Sequence, residues 1–202
     1  MNRKKFQELC KNGNFKEIKQ FYFNNPTINI SANNEYAFKV SCCNGQLKVA
    51  KWLLEVKPDI DISSNDEYAF ILSCINRYLK VAKWLLKIKP DIDISAKNEY
   101  AFRYACNYRH LKVAKWLLKV KPDINISAEY VFNYACENKH LEVAKWLLKV
   151  KPDINISKYI FKSACYSDHL EVAKWLLKVK PNSHISACYI YENDEYAFII
   201  KK

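Results

Sequence analysis

Apolar residues recur at helical spacing within units that are themselves repeated along this chain of 202 residues. In residues 98–127, apolar positions at i, i+3 and i+4 predict a first short helix over 100–106. Residues 110–120 are apolar on more than one face, which predicts a second helix buried between neighbours. Pro122 ends that helix, and the alternating residues after it favour a short hairpin-like loop.

This unit of helix, turn, helix and loop recurs over most of the chain. The sequence Val-Ala-Lys-Trp-Leu-Leu occurs five times, with tryptophans at Trp52, Trp84, Trp116, Trp146 and Trp175. A sixth, diverged copy opens the chain and has Gln20 in the tryptophan position. Because neither helix of a unit can bury its apolar surface alone, we expect the units to stack as an all-α solenoid.

The repeat predicts a single domain over residues 1–202. Its six units span about residues 1–31, 34–63, 66–95, 98–127, 129–157 and 158–186. Residues 187–202 repeat the opening of a unit, so we interpret them as a partial seventh repeat without its second helix. The interval from each proline to the next tyrosine shortens from 10 to 8 and then 7, which predicts shorter loops toward the C-terminal end.

Composition excludes several classes of function. The chain has only two glycines, so the closely spaced glycines of nucleotide-binding loops and of the G-x-S-x-G elbow are absent. No polar constellation is unique to one unit, and we predict no catalytic residue, no cofactor and no enzymatic activity. We find no apolar run of bilayer length and no apolar signal segment. These features predict an intracellular, cytoplasmic protein that is not secreted and has no transmembrane segment.

The fifth unit carries a family pattern. Residues 130–136, 138–148 and 151–155 match T-P-L-H-x-A-A, N-G-H-L-E-V-V-K-L-L-L and G-A-D-V-N in that order. The chain therefore resembles ankyrin-repeat proteins, which implies an ankyrin-repeat solenoid of helix-turn-helix units with short hairpin-like finger loops. Its repeat sequence, rich in Lys, Asn and Ile, is similar to that of the ankyrin arrays of giant DNA viruses of amoebae (Mimivirus-like). This resemblance implies a viral protein that is located in the host cytoplasm.

The chain departs from the family pattern at its turn glycines. The glycine between the two helices survives only as Gly13 and Gly45. The later units replace it with Arg77, Arg109, Lys139 and Asp168. If these residues keep a left-handed conformation, each costs about 1 kcal/mol. Together with the shorter loops, this predicts that the C-terminal half has the more strained turns and opens first in hydrogen exchange.

Cysteine, histidine and tryptophan recur at fixed positions of the unit. Six of the eight cysteines occur once per unit, and we interpret them as small buried core residues. Cys43 lies one position later and is predicted to be an exposed thiol. Cys-x3-His pairs occur in three units, but each supplies two ligands where zinc requires about four, so no metal site is predicted. The tryptophans are interpreted as a packing ladder between repeats rather than as a base-stacking platform.

Lysine dominates the charge of the chain. The net charge is +12, from 33 basic and 21 acidic residues. Lysines recur at one position of the second helix and again four residues later, which predicts a basic ladder on the outer face. Such a ladder could follow a phosphate backbone, but the scarcity of arginine favours a solvated convex surface. Electrostatic binding of nucleic acid or acidic partners through this convex face is therefore the alternative function.

Variation between the units indicates an interaction surface. In the proteins that the chain resembles, the fingers and first helices line a concave groove that binds a partner. The resemblance thus implies a monomeric, non-enzymatic scaffold for a partner protein of unknown identity, with a host protein as one candidate. An adaptor for host ubiquitination is a further alternative. The predicted partner-binding residues are Asn34, Glu35, Lys39, Cys43, Asn44, Glu67, Ile71, Ile75, Asn76, Arg77, Asn98, Glu99, Arg103, Asn107, Tyr108, Arg109, Asn133, Glu137, Asn138, Lys162 and Tyr166.

Overall fold

The computed structural model describes residues 2–124, 128–166, 169–179, 188–192 and 195–199. The chain divides into two compact units, Met1–Ile124 and Asn125–Lys202. Among the described residues, no helix is long and apolar enough to cross a membrane. Helix-turn-helix pairs recur in both units, as the periodicity of the sequence predicts.

The first unit contains four helix pairs. Their helices are α1 (Asn2–Asn12), α2 (Phe15–Phe23), α3 (Ala32–Cys43), α4 (Leu47–Val56), α5 (Ser64–Ile75), α6 (Leu79–Ile88), α7 (Ala96–Asn107) and α8 (Leu111–Val120). The first helices of successive pairs pack side by side, α1 on α3, α3 on α5 and α5 on α7. Each first helix also packs on the second helix of its own pair.

The second unit contains two further pairs and a short sheet. Its helices are α9 (Ala128–Glu137), α10 (Leu141–Val150), α11 (Lys158–Tyr166) and α12 (Leu170–Val179). Two antiparallel strands follow, β1 (Cys188–Glu192) and β2 (Glu195–Ile199), with Ile190 opposite Ala197. The helical opening predicted for a seventh repeat is therefore wrong for these residues. Alternating aromatic and β-branched side chains in Tyr189-Ile190-Tyr191 favour a strand instead. The boundaries of the six repeats stay predictions.

Aromatic side chains connect neighbouring repeats within the core. One phenylalanine per repeat is at most 2% exposed, namely Phe6, Phe38, Phe70, Phe102, Phe132 and Phe161. The indole of Trp116 contacts Phe70 of the preceding repeat, with ring centroids 6.2 Å apart. Trp175 contacts Phe132 in the same way at 6.1 Å. These contacts confirm the predicted packing ladder between repeats.

The turn between the two helices of a pair is left-handed. Gly13 and Gly45 have φ of +78° and +74° there, and a Cβ on Gly45 would collide with the ring of Tyr78. The substituted turns keep the same conformation in Arg77, Arg109 and Lys139, with φ from 58° to 66°. The predicted left-handed conformation is thus confirmed at these three positions, whereas Asp168 lies outside the described residues.

A second left-handed element opens three of the first helices. Three consecutive residues have φ between 54° and 63° in each of 33–35, 65–67 and 97–99. The right-handed helix begins directly afterwards. In the described residues of the second unit, Lys139 is the one residue with a positive φ. Left-handed residues are therefore most numerous in the fingers of the first unit, which the sequence did not predict, whereas the substituted interhelical turns at Arg109 and Lys139 have the predicted left-handed conformation.

The length of the fingers explains this difference. All three of these left-handed turns lie within a proline-to-tyrosine interval of 10 residues, whereas the intervals that reach α9 and α11 are 8 and 7. The finger before α11, at residues 151–157, is three residues shorter, and none of its residues has a positive φ. In that finger the shortening coincides with the loss of the left-handed turn.

Candidate functional site

The predicted partner-binding residues lie in the fingers, along the first helices and in the interhelical turns. In α3, α5 and α7 the right-handed helix that follows the left-handed finger residues has eight residues, so it separates finger from turn by about 12 Å. Exposed members of the set are Asn34, Asn76, Arg77, Asn98, Tyr108, Arg109 and Asn138, and half-buried members are Asn44, Arg103, Asn133 and Glu137. The side chains of Lys162 and Tyr166 lie outside the described part of the chain.

The other predicted residues are buried. They are Glu35, Lys39, Cys43, Glu67, Ile71, Ile75, Glu99 and Asn107. Ile71, predicted from the sequence as a surface contact, is only 3% exposed, because α5 packs against the first helices on both sides. The side chains of these eight residues therefore lie within the packing of the repeats, and their part in binding a partner stays a prediction.

Tyrosines form a continuous row along α7. The rings of Tyr100 and Tyr104 are stacked with centroids 4.2 Å apart, and Tyr108 follows at 5.7 Å from Tyr104. The guanidinium of Arg103 lies 5.8 Å from the centre of the Tyr100 ring. A hydrogen bond with Tyr104, together with burial, raises the pKa of Tyr100. Of this group, Tyr108 is 51% exposed.

Sequence reasoning missed Tyr100 and Tyr104 as members of this row. The signal was the spacing of tyrosines at 100, 104 and 108, since residues four apart share one face of a helix. Tyr100 occupies the position of the recurring Tyr-Ala that opens each unit, which made it resemble framework. The structure brings the three rings together with Arg103 on one surface.

Lys39 has an unusual environment on α3. Its ammonium group lies 5.7 Å from the centre of the Tyr68 ring in the next repeat. Burial lowers the pKa of Lys39, although the nearby Cys43, Glu35 and Asp61 partly oppose that shift. The Lys39 side chain is 5% exposed and therefore packs against the next repeat rather than extending into solvent.

The asparagines at the ends of the first helices have a structural role. The amide of Asn44 donates to the Val40 carbonyl at 2.8 Å, and Asn138 donates to Tyr134 at 2.9 Å. The amide of Asn76 reaches the preceding repeat and donates to the Cys43 carbonyl at 2.8 Å. These side chains satisfy carbonyl groups at helix ends, which explains why asparagine recurs there.

Burial makes the cysteines unreactive. The recurring Cys10, Cys42, Cys74, Cys106 and Cys136 are at most 1% exposed. Burial raises the pKa of the Cys10 thiol to about 12. Cys43 is 8% exposed and burial raises its pKa to about 12 as well, so the prediction of an exposed thiol is wrong. In the part of the chain that the structure describes, no group of three His, Cys, Asp or Glu residues could hold a metal ion.

The second helices carry the predicted basic ladder. The recurring lysines Lys51, Lys83, Lys115, Lys145 and Lys174 are all exposed, and so are Lys87, Lys119, Lys149 and Lys178. Lys145 forms an ion pair with Glu142 at 3.6 Å on the same helix. Each unit therefore carries solvated lysines in the predicted positions of its second helices.

Comparison with known proteins agrees with this architecture. The family model described as ankyrin repeats (3 copies) matches residues 6–98 and 102–187. The human ASB11 ankyrin repeat domain is similar in structure, with a TM-score of 0.65 and 17% sequence identity. That match covers 89% of this chain and 85% of the human one. No curated protein matches the sequence.

These matches account for the features described above. Ankyrin repeats are generally protein–protein interaction modules, and the recurring pairs of helices agree with this family. The family model covers well over half of the sequence. The chain belongs to the ankyrin-repeat family.

Proposed function

We propose that this chain is a non-enzymatic scaffold that binds a partner protein through the fingers and first helices of its concave surface. The observation that carries the proposal is the row of Tyr100, Tyr104 and Tyr108 beside Arg103. Tyrosine and arginine are enriched among the residues that dominate binding energy at interfaces. The row combines a rigid aromatic face with a cation, so it suits a protein partner better than a small molecule.

The buried residues of the first helices support this surface. Tyr100 and Tyr104 are themselves half-buried, and Asn107 is 7% exposed at the end of the same helix. A row of rings held by packed neighbours loses little side-chain entropy on binding, which favours affinity. We therefore place the energetic centre of the interface on α7.

Affinity purification with mass spectrometry from the native cell tests this proposal. We expect the double variant Tyr104→Ala/Tyr108→Ala to lose the partner that the unaltered chain recovers. Phe23→Ala is the matched control, because Phe23 is an aromatic side chain 80% exposed on the second helix α2, outside the fingers and first helices. Equal recovery by the double variant, with circular dichroism unchanged, would exclude α7 as the binding surface.

The exposed lysine ladder supports a second candidate function. It would bind nucleic acid or an acidic partner by counterion release, so affinity would fall steeply with salt. Titration of duplex DNA at several salt concentrations distinguishes this function, and a variant with Lys83 and Lys115 changed to Glu should abolish it. Absence of binding at low salt excludes it.

Further proposals concern the origin of the protein, the kind of partner and the oligomeric state. The Lys-, Asn- and Ile-rich repeat sequence supports the proposal that this is a giant-virus protein. Its partner would then be a host protein in the host cytoplasm. An adaptor role in host ubiquitination is a special case of the scaffold function, and the identity of the purified partner tests it. We expect the chain to act as a monomer, which light scattering checks.

A further inference from the structure

A basic pocket lies between the interhelical turns of the third and fourth repeats. Its volume is about 320 Å³, and its polar lining comes from Arg77, Arg109, His110 and Lys112. Leu79, Leu111 and Val113 complete the wall. The turns stand at the far end of the first helices from the fingers, so this pocket is separate from the finger loops.

The pocket exists because the turn glycine is replaced there. In the preceding repeats, Gln46 lies over Gly13 and Tyr78 lies over Gly45, so that a Cβ on either glycine would collide with the covering side chain. Arg77 brings a Cβ to the same position and cannot be covered in this way. His110 instead faces the backbone carbonyl of Ile75, and the space between the two turns stays open.

The charges of this pocket have no ion-pair partner among the residues that the structure describes. None of the ion pairs in the described part of the chain involves Arg77, Arg109 or Lys112. Arg77 and Arg109 are also two of only four arginines in the sequence. The first turn of α8 lines the same pocket, and the positive end of the helix adds to its potential.

The equivalent pocket of the second unit provides an internal comparison. It has a volume of about 230 Å³ and is lined by Lys139, His169 and Glu171 among others. Glu171 stands where the first unit has Lys112, and the His169 ring nitrogen lies 3.2 Å from the Cys136 carbonyl. Both pockets therefore lie beside an interhelical turn whose glycine is replaced, whereas only the first of the two is strongly basic.

We propose that the pocket between Arg77 and Arg109 binds a phosphate group. Two guanidinium groups can each offer paired N–H donors to a tetrahedral oxyanion, which a lysine ammonium cannot do. Lys112 adds a third positive charge, and the pocket holds no carboxylate that would compete. This site goes beyond the proposed scaffold function and does not depend on the tyrosine row.

Calorimetric titration with inorganic phosphate tests the site, at an ionic strength held constant with chloride. We expect saturable binding to the unaltered chain and affinity at least about tenfold weaker in Arg77→Gly/Arg109→Gly. Glycine adopts the left-handed turn without strain, so these variants should fold at least as well. Lys139→Gly is the matched control, since it removes one charge from an equivalent left-handed turn outside the pocket, and its affinity should stay within about twofold.

Titration with a phosphorylated peptide shows whether the bound phosphate group belongs to a partner protein or to a small free anion. A short phosphoserine peptide that binds more tightly than inorganic phosphate assigns the pocket to a phosphorylated partner, and equal affinities assign it to a small free anion. Absence of saturable phosphate binding to the unaltered chain would overturn the proposal. So would an equal loss in Lys139→Gly, or binding only of duplex DNA through the lysine ladder. None of these results bears on the tyrosine row, which Tyr104→Ala/Tyr108→Ala tests independently.

Discussion

The indole ring of Trp84 packs against the ring of Phe38 in the preceding repeat, with centroids 6.3 Å apart and planes inclined by 50°. Phe38 itself is fully buried. The second helix of one repeat thus completes the core of the repeat before it. In a repeat array of this kind the interface between neighbours contributes a large share of the stability.

Truncation of one of these phenylalanines should be strongly destabilising. We expect Phe70→Ala to lower the free energy of unfolding by about 3–5 kcal/mol, because it removes a ring that is 1% exposed and leaves a cavity beside Trp116. Urea denaturation followed by tryptophan fluorescence measures the change. Phe23→Ala is the control, since Phe23 is 80% exposed and should change stability by less than about 0.5 kcal/mol. Equal effects of the two substitutions would contradict this account of the core.

The interhelical turns predict substitutions of opposite sign. Gly45→Ala should destabilise the protein by more than about 1 kcal/mol, because a Cβ adds left-handed strain and collides with Tyr78. Arg77→Gly should raise the free energy of unfolding by up to about 1 kcal/mol, because it removes the same strain. Thermal denaturation of both variants in phosphate-free buffer checks the signs. A stabilising Gly45→Ala would show that the turn is not held left-handed.

The periodic features of the fold could be predicted from the sequence, because the residues that determine them recur in each repeat. The recurrence of Trp-Leu-Leu and of the turn position predicts the helix pairs, the packing ladder and the left-handed conformation at Arg77. Each of these depends on contacts that every repeat makes in the same way. The recurrence of a residue in several repeats therefore indicated its structural role without any knowledge of the residues that surround it in space.

The surface was harder to predict, because variation between repeats does not distinguish exposed from buried positions. Ile71 and Cys43 vary between repeats and yet lie in the packing between first helices. The pocket at Arg77 needs the position of two turns in different repeats, which no single unit contains. The left-handed turn at 65–67 has no glycine to signal it, so its residues looked like an ordinary finger loop.

The six cysteines whose burial the structure describes should be inert toward alkylation in the folded protein. Burial raises the pKa of Cys43 to about 12 from its ordinary value of 9.0, so at pH 8 the thiolate population falls by roughly a thousandfold. Iodoacetamide labelling followed by peptide mass spectrometry should therefore detect slow modification of Cys43 in buffer and rapid modification in guanidinium chloride. Rapid labelling of the native chain at Cys43 would contradict its burial.

Stability should fall at acidic pH through His110. Burial and the charge of Arg77 lower the pKa of His110 below its ordinary value of 6.5 in the folded state, so the unfolded chain binds a proton more readily. This contribution is complete above about pH 6.5 and is lost as the pH falls through the lower, folded pKa. The urea concentration at the midpoint of unfolding should therefore fall less between pH 8 and pH 5 in His110→Gln than in the unaltered chain. An identical pH dependence in both proteins would exclude the histidine as its source.

The left-handed turn at the start of α5 should depend on Glu67. Glu67 is 8% exposed, and its carboxylate accepts the Ser63 hydroxyl at 2.7 Å and the Asp93 amide at 3.4 Å. Its own amide donates to the Ser63 carbonyl at 3.0 Å, which closes the turn. We therefore expect Glu67→Ala to lower the free energy of unfolding by about 1–3 kcal/mol, because the buried donors lose a charged acceptor.

Substitution of the neighbouring Asn65 distinguishes the contribution of the Glu67 carboxylate from that of the left-handed backbone. Asn65 has φ of +62° in the same turn and is exposed, so Asn65→Gly should be neutral or stabilising by up to about 1 kcal/mol. Glu67→Gln retains a side-chain acceptor and should fall between Glu67→Ala and the unaltered chain. Urea denaturation of the three variants gives the order. If Glu67→Ala unfolds at the same urea concentration as the unaltered chain, the turn is held by local backbone preference, and the buried carboxylate has no part in joining the two fingers.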